Sequence, residues 1–495
     1  MTISILHKIA WTCDHAAPCL PAVCKGSFMQ AAFARTAAAI EPPAASASAT
    51  TTTKGSLTGI RVCITSDNDT LGPDTSEDYN LTISSTGGGI LTATSIYGAL
   101  HGLGSLSQLV ERSTHSIMNA PIAIEDRPRF GYRGLLVDTG RHFLPLSFLK
   151  HVVDGLAANK LNVMHWHIVD FQSFPCGSDT FPALAEKGAY SYPAAHFSPD
   201  NMRELVAYAK ARGVRIMPEW DVPGHSAFGY AFPELMACPS APGEIGVLDP
   251  TQDATYDMLN KFFAEMMTIF TDPYVFLGGD EVNTAECFAG NPRIAKWMAA
   301  HNVTADGVQQ YFWSQMTAKV LPSALKGRTI NIWEADNMQI DPTTLPKGTV
   351  ANVYQSKKTA DITIGEYKMP STLSIASQQW YLDSQPSGYN QNSWEKRYMV
   401  EPTSNLTKLP ENRPLLLGGE GAMWGEGINQ DNFDAYVWRG MAAIGERLWS
   451  PAALTPSVAA ALGRLSQHVC RMTWDGFRPG PVEPGFCPPD AMSKQ

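Results

Sequence analysis

The chain has 495 residues, with 37 Lys and Arg against 47 Asp and Glu, which gives a formal charge of −10. Hydrophobic residues make up 44% and charged residues 17%, a globular composition that excludes disorder as the main state. The acidic balance, without a Lys/Arg-rich run, argues against nucleic-acid or anionic-membrane partners. No apolar run approaches the ~18 residues that a membrane-spanning helix needs.

The N-terminal part of the chain predicts a small domain. Its first 30 residues lack a clear signal peptide, because Lys8 interrupts the short apolar start. Residues 43–54 (PAASASATTTTK) are of low complexity and predict a loop. RVCITS (61–66) and YNLTIS (79–84) alternate like half-buried strands, and the segment after TGGG becomes an amphipathic helix. The sequence therefore predicts an α+β domain over residues 1–127.

From residue 133 onward, short apolar runs alternate with helical stretches. Eight such runs predict a (β/α)₈ barrel, the catalytic domain assigned to residues 128–495. The predicted strands are 133–139, 161–170, 214–221, 274–281, 329–336, 349–355, 372–383 and 414–424. An acidic residue ends or closely follows most of them: Asp138, Asp170, Asp221, Glu281, Glu334, Asp383 and Glu426. Because a barrel carries its active site at the C-terminal ends of its strands, these carboxylates are expected to converge, a helix-cap role being the alternative for each.

Two adjacent carboxylates, Asp280 and Glu281, follow Gly278 and Gly279 at the end of the fourth predicted strand. In a partly buried barrel mouth, each would perturb the pKa of the other. One can then stay protonated as a general acid while the other stays ionised. A helix cap and a metal site are the alternatives for this pair.

A pair of histidines supports a rival hypothesis. His165 and His167 lie two residues apart on a predicted strand and therefore share a face. Together with Asp170, His225 and Asp280 they could form a zinc site, which would make the protein a metal-dependent barrel hydrolase. The alternative is that both are core histidines whose ring nitrogens have hydrogen-bonding partners.

Other side chains at the strand ends suit a sugar. The guanidinium of Arg141 offers a planar fork of donors for a carboxylate or for hydroxyl groups, with surface pairing as the alternative. Aromatic residues lie in or just after the late strands: Trp333, Tyr354, Trp380, Tyr381 and Trp424. In one pocket they would form an apolar wall for a pyranose ring, although core packing is the alternative for each.

Six motifs then carry a specific resemblance. They are RGLLVDTGRHFLP, LNVMHWHIVDFQSFP, FPALAEKGAYS, PEWDVPGHSAFG, FLGGDEVN and GGEGAMWGE, in this order over about residues 130–450. They resemble the β-N-acetylhexosaminidases of glycoside hydrolase family 20, the eukaryotic lysosomal and secreted enzymes above all. The stretch 61–112 resembles the small N-terminal domain of that family, and SFMQAAFARTAAAI resembles the helix before it. We therefore expect that the chain begins inside the mature region of the family, without its signal peptide.

The resemblance implies a retaining exo-β-N-acetylhexosaminidase that needs no metal or organic cofactor. Its substrate would be terminal β-linked GlcNAc or GalNAc on glycans or chito-oligosaccharides. The resemblance also implies a lysosomal, vacuolar or secreted protein, and it allows a homodimer. A non-catalytic glycan-binding homologue is a further alternative, against which the intact pair of Asp280 and Glu281 weighs.

The family mechanism assigns roles to individual residues. The 2-acetamido oxygen of the substrate attacks C1, an exception to the usual scheme with two carboxylates. Glu281 matches the general acid and base, Asp280 the group that holds the acetamido N–H, and Tyr381 the donor to the acetamido oxygen. The remaining matches are the pocket walls Trp333, Tyr354 and Trp424, the hydroxyl-binding groups Arg141 and Glu426, the contact to the 6-position Asp383, and the orienting groups Asp170 and His225. In this family His165 and His167 have no ligand role.

Three positions depart from the family pattern, none of them catalytic. Tyr354 replaces a common Trp, Phe171 stands where many relatives have a second Asp or a small polar residue, and Gly140 stands where Ser or Ala is common. Asp383 would repel an anionic substituent. We therefore predict poor cleavage of 6-sulfated GlcNAc, and equal rates on sulfated and plain substrates would contradict this.

Nine cysteines leave both disulfides and free thiols open on spacing alone, and no Cys-x-x-Cys motif suggests structural zinc. Four Asn-x-Ser/Thr sequons, at Asn68, Asn80, Asn302 and Asn405, permit a secretory protein. By resemblance, Cys238–Cys287 and Cys470–Cys487 match bridges of the family. Cys63 is expected to pair with one of Cys13, Cys19 or Cys24, and Cys176 to be unpaired.

Overall fold

The computed structural model describes residues 2–5, 8–41, 55–239, 246–334, 341–375, 380–382 and 393–487. The strands are β1 (Ile3–Ser4), β2 (Ala10–Cys13), β3 (Gly59–Ile64), β4 (Tyr79–Ile83), β5 (Gly88–Ala93), β6 (Val110–Glu111), β7 (Ser116–Ile117), β8 (Ile122–Asp126), β9 (Tyr132–Asp138), β10 (Val163–His167), β11 (Arg215–Glu219), β12 (Met236–Cys238), β13 (Val247–Leu248), β14 (Tyr274–Phe276), β15 (Thr329–Trp333), β16 (Val350–Val353), β17 (Ser371–Leu373) and β18 (Leu416–Met423). The helices are α1 (Pro21–Lys25), α2 (Ser27–Ile40), α3 (Ile96–Leu109), α4 (Leu146–Ala158), α5 (Ala183–Gly188), α6 (Pro199–Lys210), α7 (Asp253–Ile269), α8 (Pro292–His301), α9 (Ala305–Gln315), α10 (Lys357–Gly365), α11 (Trp394–Met399), α12 (Leu409–Asn412), α13 (Phe433–Trp449) and α14 (Val458–Trp474).

The first part of the chain forms a five-stranded sheet in the order β2-β3-β5-β4-β8. Strand β4 alternates strictly between buried and exposed side chains, which is why its period-two pattern is visible in the sequence. Helix α3 packs on β4 and β5, and its N-terminus is capped by the Ser95 hydroxyl, which accepts from two backbone N–H groups. The low-complexity segment 43–54 lies outside the described residues.

Eight parallel strands close into a barrel in the order β10-β11-β14-β15-β16-β17-β18-β9. Each of the eight predicted apolar runs overlaps one of them, so the predicted (β/α)₈ barrel preceded by a small α+β domain is confirmed. These strands are buried on both faces, by the barrel interior and by the surrounding helices, so they appear in the sequence as almost continuous apolar runs.

The strand that precedes the acidic pair is shorter than predicted. The fourth barrel strand was expected to run to residue 281, but β14 ends at Phe276. Gly278 and Gly279 follow with φ of 64° and 98°, values in the left-handed region that favours glycine. The pair therefore lies on a loop beyond the strand rather than on the strand itself.

A buried polar joint connects the small sheet region to the barrel. The carboxylate of Glu77 accepts from both terminal nitrogens of Arg133 at 2.6 and 3.0 Å, and from Asn162 at 3.0 Å. The ring of His101, on α3, lies 2.9 Å from the same carboxylate. Arg133, the second residue of the first barrel strand, is therefore neutralised by a residue that precedes the barrel.

Four disulfides are present: Cys13–Cys24, Cys19–Cys63, Cys238–Cys287 and Cys470–Cys487. They include both bridges implied by the resemblance, and Cys19 is the partner of Cys63. Cys176 is a buried free thiol. Among the helices that the structure describes, none is long and apolar enough to cross a membrane.

Candidate active site

The loop after β14 carries the acidic pair into the barrel mouth. A Cβ on Gly278 would come within 0.9 Å of Asp221 Oδ1, so this position accepts only glycine. Glu281 itself has φ of 51° and His225 has φ of 47°, which is uncommon for residues with a side chain. Two strained residues that face each other are typical of a functional site.

Asp280 has a shielded carboxyl group. Its Oδ1 is removed from solvent and meets no hydrogen-bond donor within the described residues. Burial raises the pKa of Asp280 to about 6, and the charges of Glu219 and Glu281 add to this against the opposing effect of His225. A partly buried acceptor without a donor is suited to receive an N–H group from a ligand.

Asp221 lies behind this carboxyl and is fully buried, and its Oδ1 also meets no donor in the described part of the chain. Burial raises the pKa of Asp221 well above its usual value, reinforced by Glu219 and Asp280. Three carboxyl groups in one low-dielectric region cannot all ionise easily, and the environment of Asp221 favours its protonated form.

Glu281 is the exposed member of the pair, with 59% of its side chain accessible. The Nε2 of His225 lies 3.4 Å from Glu281 Oε2 and lowers the pKa of that carboxyl. The contact therefore favours the protonated form of His225 and the ionised form of Glu281. The two carboxyl groups of the acidic pair therefore differ in pKa, as the sequence suggested. The raised pKa is that of Asp280, and the lowered pKa is that of Glu281.

A line of ion pairs runs behind His225. Its Nδ1 lies 3.2 Å from Asp170 Oδ1, and Asp170 Oδ2 lies 2.9 Å from a terminal nitrogen of Arg141. Burial disfavours the charge of His225, but Asp170 outweighs this and raises the pKa of the imidazole well above its usual value. His225 and Arg141 likewise overcome burial and hold the pKa of Asp170 well below its usual range.

Arg141 is held by three carboxylates. Besides Asp170 it contacts Asp138 at 3.1 Å and Glu426 at 3.3 Å, and its guanidinium lies 5.1 Å from the ring of Trp424. Only 10% of its side chain is exposed, whereas 59% of the Glu426 side chain is accessible. The predicted hydroxyl-binding groups therefore meet at one side of the mouth, with the exposed carboxylate outermost.

Four aromatic side chains form one group inside the mouth. Trp333 contacts Tyr354 at 5.5 Å and Trp424 at 5.7 Å between ring centroids, and Tyr381 lies 6.1 Å from Trp424. The expectation that Trp380 joins them is wrong. Trp380 is buried among the helices and barrel strands, where its indole N–H donates to the carbonyl of Arg397.

The two histidines of β10 are fully buried and have partners at both ring nitrogens. His165 lies 2.9 Å from Glu420 and 3.0 Å from Glu219, and His167 lies 2.6 Å from Glu219 and 2.8 Å from Asp170. His167 forms a hydrogen bond at each ring nitrogen, whereas His165 forms one at Nδ1 and has Glu219 at ion-pair distance from Nε2, so both rings face carboxylates rather than a vacant metal position. The core interpretation of the two histidines is therefore the one that fits.

Two sets of side chains within the described residues have ligand atoms within 4.8 Å of one another: His167 with Glu219 and Asp221, and His225 with Asp280 and Glu281. A metal requires a neutral imidazole nitrogen, but the carboxylates around His167 and His225 favour the protonated form of both rings. These residues fit an acid–base system better than the zinc site of the rival hypothesis.

Sequence reasoning missed Glu219 and Glu420, two fully buried carboxylates inside the barrel. Glu219 is the direct neighbour of His167 in the β10–β11 register, and Glu420 also accepts from the Tyr132 hydroxyl at 2.5 Å. An acidic residue within an apolar strand was the available signal. Of the predicted site residues, Asp383 lies outside the described part of the chain.

Comparison with known proteins agrees with this geometry. The family described as glycosyl hydrolase family 20, catalytic domain, matches residues 130–452, and the one described as beta-acetyl hexosaminidase like matches residues 19–109. The chain is 36% identical to beta-hexosaminidase subunit A1 of Dictyostelium discoideum over 444 residues, which are 87% of this chain and 80% of that protein. It is 35% identical to beta-hexosaminidase subunit beta of Homo sapiens over 409 residues, which are 80% of this chain and 71% of that protein.

A solved structure shares the architecture. The chitobiase of Flavobacterium johnsoniae aligns with a TM-score of 0.78 and 26% identity, over 97% of this chain and 71% of that chain. Fold and site together define a glycoside hydrolase with a (β/α)₈ catalytic barrel. The chain belongs to glycosyl hydrolase family 20, and the predicted resemblance to its eukaryotic members is confirmed.

Proposed function

We propose that this β-N-acetylhexosaminidase releases terminal β-linked GlcNAc or GalNAc from glycans or chito-oligosaccharides by substrate-assisted catalysis. The observation that carries the proposal is that the two carboxyl groups of the acidic pair lie in different environments. Asp280 offers a shielded acceptor without a donor among the described residues, and Glu281 offers an exposed carboxyl group 3.4 Å from a ring nitrogen of the buried His225.

In the first step the acetamido oxygen attacks C1, and the bond from C1 to the leaving oxygen breaks. Glu281 gives its proton to that oxygen. Substrate covers the exposed carboxyl and excludes water, which raises the pKa of Glu281 and draws the proton from His225. Asp280 accepts the acetamido N–H and balances the positive charge of the oxazolinium ring, while Tyr381 donates to the acetamido oxygen.

In the second step water attacks C1 from the side that the leaving group has vacated. Glu281, now ionised, takes a proton from this water, and the bond between C1 and the acetamido oxygen breaks. Two displacements at C1 give net retention of the β configuration. His225 and Asp170 keep the Glu281 carboxyl oriented through both steps.

Recognition of the terminal sugar rests on the rest of the mouth. Trp333, Tyr354 and Trp424 form apolar walls around the pyranose ring, while Arg141 and Glu426 bind the 3- and 4-hydroxyls. The contact of Asp383 with the 6-position, and with it the poor cleavage of 6-sulfated GlcNAc, stays a prediction.

Organisation and location of the protein belong to the same proposal. We propose a domain boundary between residues 127 and 128, supported by the end of β8 at Asp126 and the start of β9 at Tyr132. Four disulfides support an oxidising compartment, either lysosomal, vacuolar or extracellular. A homodimer is the proposed assembly, by analogy with the family, and sedimentation of the purified protein tests it.

The test is release of nitrophenol from aryl β-GlcNAc by the wild type and by Glu281→Gln, each with and without a chelator. We expect turnover that survives chelation and falls by about 10² to 10⁴ in the variant. Turnover that is lost on chelation would favour the metal-dependent hydrolase. Binding of GlcNAc by folded wild type without any turnover would favour the glycan-binding homologue.

A further inference from the structure

The catalytic pair is connected to the barrel core by an unbroken line of acids and imidazoles. Three histidines, His165, His167 and His225, each lie between two carboxylates. The line runs Glu420, His165, Glu219, His167, Asp170, His225, Glu281, with successive nitrogen–oxygen distances of 2.9, 3.0, 2.6, 2.8, 3.2 and 3.4 Å. All its members except Glu281 are buried, so water does not replace any of these contacts.

We propose that His167 is a positioning residue for the catalytic pair: clamped between Glu219 and Asp170, it supplies a fixed positive charge beneath the mouth and orients Asp170 for His225. The inference rests on the proposed function, in which Glu281 is the general acid and base. It assigns a role to the second histidine of the HWH motif, whose ring nitrogens contact Glu219 and Asp170.

The geometry makes the position of the ring specific. An imidazole that donates from both nitrogens to two buried carboxylates cannot rotate without leaving one of them unpaired, which is strongly unfavourable for a buried ion. His167 Nε2 and Arg141 both contact Asp170 Oδ2, at 2.8 and 2.9 Å, which leaves Oδ1 to His225. Loss of His167 would remove one of four donors to this carboxylate, the others being Arg141, His225 and the backbone N–H of Phe171.

His167 lies among several acidic groups and two basic ones. The acidic groups are Asp138 in the β9 register, Glu219 at the end of β11, Asp221 two residues later, and Asp170 from its own segment. The basic groups are His165 and Arg141, which contact the same oxygens of Glu219 and Asp170 as His167 does. The ring of Trp424 lies edge-on at 5.1 Å. Burial opposes the charge, but Glu219 and Asp170 raise the pKa of His167 well above its usual value. One positive charge thus offsets several buried carboxylates close to Asp280.

The test is the pH profile of kcat/KM for aryl β-GlcNAc, measured for wild type and His167→Gln. Glutamine keeps a donor but removes the charge, so the carboxyl groups of the pair become harder to ionise. We expect both limbs of the profile to move to higher pH by about one unit. The matched control is Tyr256→Phe, which removes a buried 2.8 Å hydrogen bond to the carbonyl of Pro250, outside this line, and should leave both limbs in place.

A second measurement is an NMR titration of the wild-type protein. In wild-type protein labelled with ¹⁵N-histidine, the His167 ring, assigned through His167→Gln, should stay an imidazolium at a pH where exposed histidines have lost their proton. Two results would overturn the inference. One is a pH profile of His167→Gln in which kcat/KM falls uniformly and neither limb moves. The other is an NMR titration in which His167 loses its proton together with exposed histidines. Inactive wild type would instead refute the proposed function, so the two failures are distinguishable.

Discussion

Replacement of Asp280 by asparagine is the most informative single change, because it separates the shape of this side chain from its charge. Asparagine keeps an oxygen that can accept the acetamido N–H, but it cannot balance the positive charge of the oxazolinium ring. Loss of a preorganised electrostatic contact of this kind lowers kcat by about 10² to 10³. We therefore expect a fall of that size in kcat/KM at neutral pH.

The pH dependence gives a sharper expectation. Because the pKa of Asp280 is raised to about 6, the wild type has half of this carboxyl ionised at about pH 6 and about a tenth at pH 5. Wild-type kcat/KM should therefore fall about fivefold between pH 6 and pH 5, and about tenfold per pH unit below that. The asparagine variant does not titrate there, so its deficit against wild type should shrink about fivefold between pH 6 and pH 5.

The assay is initial-rate hydrolysis of aryl β-GlcNAc between about pH 4 and pH 8 in buffers of constant ionic strength. The protein is first checked for folding at each pH by circular dichroism. An acid limb of equal steepness in Asp280→Asn would refute the reasoning, because another group would then be titrating. A flat wild-type profile down to about pH 4 would show that Asp280 is ionised despite its burial.

Three further predictions concern stability and the pocket. Glu77→Gln should lower the free energy of unfolding by about 3–5 kcal/mol at neutral pH. The pKa of Glu77 is lowered from 4.5 to about 2, because Arg133 and His101 outweigh its burial. The stability difference between wild type and variant should therefore be full above pH 4.5 and vanish as the pH falls towards 2. Urea titrations measure this difference, and a difference that grows on acidification would contradict the prediction. Trp424→Ala should reduce kcat/KM about 10- to 100-fold through loss of a pocket wall, whereas Trp297→Ala, on helix α8, should leave it unchanged in the same assay. Cys238→Ser should lower the stability by about 2–4 kcal/mol, because the bridge closes a loop of 49 residues; calorimetry measures the shift, and an unchanged melting temperature would exclude a stabilising role.

Most of the barrel could be predicted from the sequence because its strands are buried on both faces. A run such as VRIMPEWD then stands out from the helical stretches around it. The ends of the strands could not be predicted as well. YVFLGGDE appears as one continuous run, but hydrophobicity carries no information on φ, and the left-handed glycines end β14 at Phe276.

Candidate site residues could be predicted where they lie next to a predicted strand end, as Arg141 and the acidic pair do. The direction of a side chain could not be predicted where the chain has already left the strand. Tyr381 lies beside the other pocket aromatics, whereas its neighbour Trp380 packs into the core, a difference that depends on the local backbone direction. Glu219 and Glu420 escaped notice because their partners, the histidines of β10, are neighbours only across the barrel.

The joint between Glu77 and Arg133 has a practical consequence for the design of shorter proteins. A chain that begins near Tyr132 would retain every proposed catalytic group, yet it would leave a fully buried guanidinium without its counterion. It would also expose Trp449, which packs into the hydrophobic cluster of the N-terminal sheet. The barrel should therefore not be expressed alone, and engineered fusions should include the preceding five-stranded sheet together with it.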